Sequence, residues 1–420
     1  MGTLVDFLFN KGSIRAPNSA WGLENIKNDF RDSLEKAEVI VAKNVSDYYF
    51  TSKQEKWAFP DDFPCLIPPF KTCVVECARP ERAFIEDSVE SRTVARGYPK
   101  RWMVLFETID LPDLLPLGKE RAKAKFGFWK VYMLGQLMES FISGTGINTD
   151  VNDTRPVKLV TDASDPDAQV HLKIQLDPKS PLVDEVEENQ QFDMGSMRFV
   201  AATLFSSTNS PWLAGTLDKS TDKVSKIFED DSAEEFVAGP LGTWAWLVDK
   251  YGYVVNAPVW NILASKTWVD QLPGTEEEKN ADIENYQHVL SDLFSATLFW
   301  PAFLAISFLH CKNVTIADNK PPRHERRQAE REGKKAPVTF KTLVIEPMKK
   351  VLRTEGNSEE TGIKQAIHIC RGHFKDYRGS NKGLFGKYKG LYWWDAHLAG
   401  SPEHGSVVKE YEELAPKQKG

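Results

Sequence analysis

Cysteine is scarce in this chain and its count is odd: Cys65, Cys73, Cys77, Cys311 and Cys370 are the only five among 420 residues. A disulfide scaffold needs dense, paired cysteines, so that class is excluded, and the pattern fits a reducing, cytoplasmic setting. Nucleotide-handling signatures are missing as well. There is no Walker A lysine loop, no Gly-x-Ser-x-Gly elbow and no strand-linked Gly-x-Gly-x-x-Gly, and Gly144-Thr145-Gly146 lacks the third glycine and reads as a loop. A nucleotide-hydrolysing motor or a dinucleotide oxidoreductase is therefore disfavoured, and no cofactor is expected.

Targeting signals are also absent. Met1 to Lys11 carries Leu4-Val5 and Phe7-Leu8-Phe9, but Asp6 interrupts the run and no basic segment precedes it, so no secretory signal is read. Asp6 also stands where an N-myristoylation pattern wants Ser or Thr. The longest uncharged apolar run, Leu293 to Leu309, is 17 residues, short of the roughly 20 that cross a bilayer, and it contains Ser295, Thr297, Pro301 and Ser307. It is expected to be a buried core helix, kinked at Pro301. No membrane association is expected.

What is present is a large globular composition, 41% hydrophobic and 27% charged, enough for one large domain or two to three ordinary ones. The helical spacing of Leu23, Ile26, Phe30, Leu34 and Ala37 predicts an N-terminal helix. Strands are predicted at Thr72 to Cys77, Arg101 to Ile109, Val170 to Leu176, Thr339 to Ile345 and Lys364 to Cys370, while Phe59 to Phe70 is too proline-rich for regular structure. Periodicity leaves Gly127 to Ile142 and Met197 to Phe205 undecided between helix and strand. The fold class is α+β: a large mixed N-terminal part, 1–315, with a buried central helix; a charged connector, 316–335; and a smaller, mainly β C-terminal module, 336–420.

The net charge of −7 hides an asymmetry. Residues 320–420 carry 21 basic and 13 acidic side chains, net +8, which leaves 32 and 47 in the first 319, net −15. Four of the eight histidines, His368, His373, His397 and His404, also fall in the last 53 residues, where even placement would put about one. Between Arg371 and Trp394, six basic residues (Arg371, Lys375, Arg378, Lys382, Lys387, Lys389) meet one acid, Asp376. They are interleaved with Phe374, Tyr377, Phe385, Tyr388, Tyr392, Trp393 and Trp394. Cations neutralise phosphates and aromatic faces stack unpaired bases, so Arg371, Lys375, Tyr377, Arg378, Lys387, Tyr388 and Trp393 are candidate contacts to RNA or single-stranded nucleic acid. The same text also fits a glycine-rich hairpin whose aromatics complete a small core and whose lysines keep an edge soluble.

His368, His373 and His397 supply groups for metal-independent RNA cleavage, one imidazole taking the 2′-hydroxyl proton, another protonating the leaving oxygen, with Arg371 and Lys375 on the phosphate. A zinc shell from His368, Cys370 and a further histidine is the competing chemistry, but no Cys-x-x-Cys or His-Glu-x-x-His element accompanies it and no metal is expected. His310-Cys311 is not expected to act as a nucleophilic pair, because neighbours on a helix point apart. A non-enzymatic alternative has the acidic N-terminal part engaging a basic protein partner.

Phe308-Leu309-His310-Cys311-Lys312-Asn313-Val314, His368-Ile369-Cys370-Arg371-Gly372-His373-Phe374, Gly383-Leu384-Phe385-Gly386-Lys387-Tyr388, Trp393-Trp394 with His397, and Lys409-Glu410-Tyr411 together resemble a family of uncharacterised phage and bacterial proteins. The resemblance covers roughly the last 130 residues. It implies a prokaryotic or phage cytosolic setting and carries no catalytic role.

Overall fold

The computed structural model describes residues 3–11, 13–14, 24–42, 45, 60–78, 101–114, 117, 119–143, 155–160, 169–174, 176, 179–189, 196–207, 237–262, 275, 298–346, 366–370, 372–378, 383, 386, 388–394, 397–399 and 401–406. Its helices are α1 (Leu4–Lys11), α2 (Glu24–Lys36), α3 (Leu111–Leu114), α4 (Lys119–Phe126), α5 (Phe128–Ser143), α6 (Leu182–Asn189), α7 (Trp300–Leu309) and α8 (Arg323–Arg331). The first nine strands are β1 (Ser13–Ile14), β2 (Glu38–Val41), β3 (Thr72–Ala78), β4 (Arg101–Asp110), β5 (Arg155–Val160), β6 (Gln169–Ile174), β7 (Arg198–Ser207), β8 (Val237–Val248) and β9 (Val254–Ile262). Seven follow: β10 (Val314–Asn319), β11 (Phe340–Ile345), β12 (Ala366–Cys370), β13 (His373–Asp376), β14 (Leu391–Trp394), β15 (His397–Ala399) and β16 (Ser401–Ser406). The protein is α+β.

Nine strands form one mixed sheet in the order β1-β8-β7-β4-β3-β2-β11-β10, with β9 also on β8. Strands β2, β3 and β11 pair in parallel, whereas β3-β4-β7-β8 are antiparallel neighbours. Both faces are covered, so the central strands read as continuous apolar runs instead of alternating ones. In β4, Trp102, Val104 and Phe106 face the side occupied by α7, while Met103 and Leu105 face the side occupied by α1, α2 and α5. The periodicity of α5 is resolved as helical by this packing: Trp129, Met133 and Leu137, four residues apart, are all buried. Met197 to Phe205 resolves as strand β7, whose Phe205 meets Phe30 of α2 edge to face at 5.2 Å.

The apolar run does form the central helix, but Pro301 does not kink it. The α-helix begins at Trp300, which puts Pro301 in the first turn, where its missing N–H removes no helical hydrogen bond. Just upstream, the carbonyl of Leu298 accepts the indole N–H of Trp102 at 2.7 Å. Trp300 through Phe308 are buried side by side, an all-round apolar helix of the kind that forms the middle of a core. At ten residues it is about 15 Å long, and no described helix is long and apolar enough to cross a membrane.

The charged connector is an excursion between two adjacent strands of this same sheet. β10 and β11 pair antiparallel along their full length across it, and β11 continues in parallel onto β2. The sheet therefore runs through the boundary expected at 316–335. Farther on, the β13-β14 hairpin closes one end of the α7 core. Trp393 is 1% exposed and packs on Phe308 and Phe374 with ring centroids 4.8 and 4.9 Å away. Buried Asn313 clamps it: its amide nitrogen donates to the carbonyls of Trp393 (2.9 Å) and Glu346 (2.8 Å), and its oxygen accepts the Trp393 N–H (3.0 Å).

Candidate nucleic-acid interface

The expected contacts divide into inward and outward sets. Trp393 and Tyr388, at 1% and 7% exposed, are buried, which leaves their rings no free face for a base to stack on. Tyr377 is half-buried against Tyr392. Arg378 is committed inward as well. Its guanidinium donates to the carbonyls of Tyr251 (2.7 Å) and Pro64, pairs with Asp376 (2.6 Å) and lies 4.3 Å from the Tyr253 ring centroid. For these residues the hairpin-core reading describes what the fold does with them. Lys375 is different: half-buried, its ammonium sits 3.8 Å from the Trp394 ring centroid, and desolvation there lowers its pKa.

The histidines are placed on two separate pairings. His373 opens β13 opposite Trp394. His368 lies on β12, and β15 pairs antiparallel with it so that His397 stands opposite Cys370 and Ala399 opposite His368. Cross-strand partners share a face, as do residues two apart, so His368, Cys370 and His397 occupy one face of the three-stranded sheet β15-β12-β16. For these three, strand and register are what is described. Arg371 and Lys387 lie outside the described residues. Among the described residues no group of three His, Cys, Asp or Glu side chains is arranged to hold a metal ion.

The feature that sequence reading treated only as a connector is the most open cationic surface described. Helix α8 has no buried residue. Arg323, Arg327 and Arg331 recur every four residues and Arg326 adjoins them, which sets four guanidinium groups along one side of the helix over about 12 Å. Among the described residues these four side chains have no ion pair. Like charges four apart cost a helix about 0.2–0.5 kcal/mol per pair, so the stripe is a local expense that packing does not repay.

Both ends of α8 are fixed. Before it, β10 is hydrogen-bonded into the sheet. After it, a Schellman cap closes the helix: Gly333 (φ +66°) donates to Glu330 at 3.2 Å and Lys334 to Ala329 at 2.9 Å. The chain is then tied to the N-terminal helices. Lys335 pairs with Glu35 (2.6 Å) and lies over the Phe9 ring (4.1 Å), its N–H donates to Asn10 (3.1 Å), and Val338 N–H donates to Asp6 (2.8 Å). Asp6 is itself the partner of Thr3 in a reciprocal cap at the start of α1. An exposed arginine helix is thus held on a rigid base. The signal for it was readable: residues 320–335 hold seven basic and three acidic side chains, net +4, half of the +8 of the C-terminal region.

Comparison of the chain with protein-family models, curated proteins and solved structures gives no match in any of the three.

Proposed function

We propose that this protein binds RNA or single-stranded DNA through its basic C-terminal third, with the arginine stripe of α8 as the main phosphate contact. The observation that carries this reading is the set of four exposed arginines on a helix that buries nothing. A solvated helix whose only task is to connect two strands gains nothing from like charges at four-residue spacing, whereas phosphates spaced about 3.4 Å apart along a strand relieve that repulsion. Lys375 beside Trp394 adds a cation next to an aromatic ring. The test is fluorescence anisotropy of labelled single-stranded RNA against the purified chain at several salt concentrations. Binding that weakens steeply with salt supports the reading; no binding at low salt rejects it.

A cleavage activity is a second reading, favoured by the β12-β15 register, which pairs His368 with His397 in place of the His368–His373 pair suggested by their closeness in sequence. In this reading one imidazole takes the 2′-hydroxyl proton and the other protonates the leaving oxygen, without metal. Labelled RNA incubated in EDTA with wild type and His397→Ala tests it. Equal cleavage by both, or none by either, rejects the reading and leaves binding in place. RNA binding absent together with capture of a basic protein by the acidic first 319 residues would instead favour a protein-interaction role.

A further inference from the structure

Cys65 lies away from α8, at a junction of four chain segments. It belongs to the irregular stretch 63–71 and is 3% exposed. From α7, Ser307 Oγ donates to the Cys65 carbonyl at 3.0 Å and His310 hydrogen-bonds the thiol. His310 Nε2 also donates to the Ile67 carbonyl at 2.6 Å, so that nitrogen carries a proton and the other is the one whose protonation varies. The Ile67 N–H faces the sulfur too. Arg378, arriving from beyond β13, bonds the carbonyls of Pro64 and Tyr251, which flank the sulfur in the 63–71 stretch and the 249–253 turn.

The titratable and charged groups around the thiol are His310 and Cys311 from α7, Arg378 with its partner Asp376, and Tyr253, whose hydroxyl donates to Asp376 at 3.0 Å. Burial pushes the thiol pKa up, but the His310 hydrogen bond, the His310 and Arg378 charges and the Ile67 N–H outweigh it, and the net shift is down. Burial pushes Cys73, Cys77 and Cys311 the other way. The sulfur has no spare room. Gly252, at φ +91°, comes so near that a β-carbon there would lie 2.5 Å from Sγ and 3.3 Å from Arg378 Nη1.

We propose that Cys65, paired with His310, is a hydroperoxide-reactive thiol, and that its oxidation to the sulfenic acid loosens the β13-β14 hairpin from the sheet. The thiolate sulfur attacks the distal peroxide oxygen, an S–O bond forms and the O–O bond breaks. Sulfur loses two electrons to the peroxide, and the departing hydroxide or alkoxide takes the His310 proton to leave as water or alcohol. The product carries one more oxygen where even a β-carbon on Gly252 would collide, so the 63–71 stretch or the 249–253 turn must shift. Either shift moves a carbonyl that holds Arg378.

The full chain is treated with hydrogen peroxide and dimedone, and peptide mass spectrometry follows each cysteine. Cys65 is expected to be trapped at least tenfold faster than Cys73, Cys77 and Cys311, and His310→Gln, which keeps a donor for the Ile67 carbonyl, is expected to slow it about tenfold. Equal rates for the four thiols, or an unchanged rate in the variant, overturn the pairing. If the variant does not fold, the wild-type pH profile decides: a rate that persists below pH 7 supports the thiolate, and one that falls tenfold per pH unit below about 8.5 overturns it. Faster amide exchange at 373–376 and 391–394 after oxidation is the expected sign of loosening, and unchanged exchange overturns that part.

Discussion

The guanidinium of Arg378 meets two backbone carbonyls and one carboxylate, with the side chains of Arg378 and Asp376 only 16% and 23% exposed. Removing the carboxylate leaves a largely buried charge unpaired, so Asp376→Asn is expected to cost roughly 2–4 kcal/mol in a urea titration. Burial raises the Asp376 pKa, but the Arg378 hydrogen bonds and charge and the Tyr253 hydroxyl more than offset it, and the net shift is down. A depressed carboxyl contributes stability that is present above its unfolded value, about 3.9, and is lost as pH falls through the folded value. The difference between wild type and variant should accordingly be flat from pH 5 to 8 and shrink below about pH 4. Trp393→Ala is expected to cost about 3–5 kcal/mol by the same titration, and RNA affinity measured where the variant is still folded should stay within about twofold. The sequence text from Arg371 to Trp394 shows a mixture of cations and aromatics, but the inward orientation of Arg378 and Trp393 depends on Tyr251, Pro64, Phe308 and Asn313. Those partners are between 80 and 314 residues away in the chain, beyond the reach of local pattern.

Among the elements, α8 and α7 are opposites: one buries nothing and the other buries nine consecutive residues. Both characters were legible, because charge and apolarity run uninterrupted through each segment. The role of Pro301 was not, since a proline in an apolar run reads equally as a kink or a first turn until the helix start is located. The paired alternation of His368, Cys370 and the facing His397 likewise needed the β12-β15 register, which no spacing within one strand supplies. On α8, Arg323→Ala with Arg327→Ala and Arg331→Ala should leave the urea midpoint nearly unchanged, because each side chain is exposed and lacks an ion pair. Circular dichroism and the urea titration check that expectation, and a large loss of stability would mean that the stripe serves the fold.

For the whole molecule, the sheet decides how the chain can be divided. β11 is hydrogen-bonded to β2 across some 300 residues of sequence, and the β13-β14 hairpin closes the α7 core. Neither 1–315 nor 336–420 made alone is expected to give a cooperative urea transition, and a sharp transition from either fragment would show an independent domain. Composition had indicated a division at the connector, because charge changes sign there, from −15 over the first 319 residues to +8 beyond. Charge follows the surface, whereas the core follows strand pairing, and here the two do not coincide. The α+β class, most central strands and the basic end were accessible from local pattern; the placement of β11 in the main sheet required long-range pairing. The most direct measurement of the central claim is the salt dependence of single-stranded RNA binding by wild type and the Arg323, Arg327 and Arg331 triple alanine variant. Three lost phosphate contacts should lower the slope of log K against log salt by about 2 and weaken binding at low salt. An identical slope and affinity in the two proteins would contradict the assignment of α8 as the phosphate-binding element.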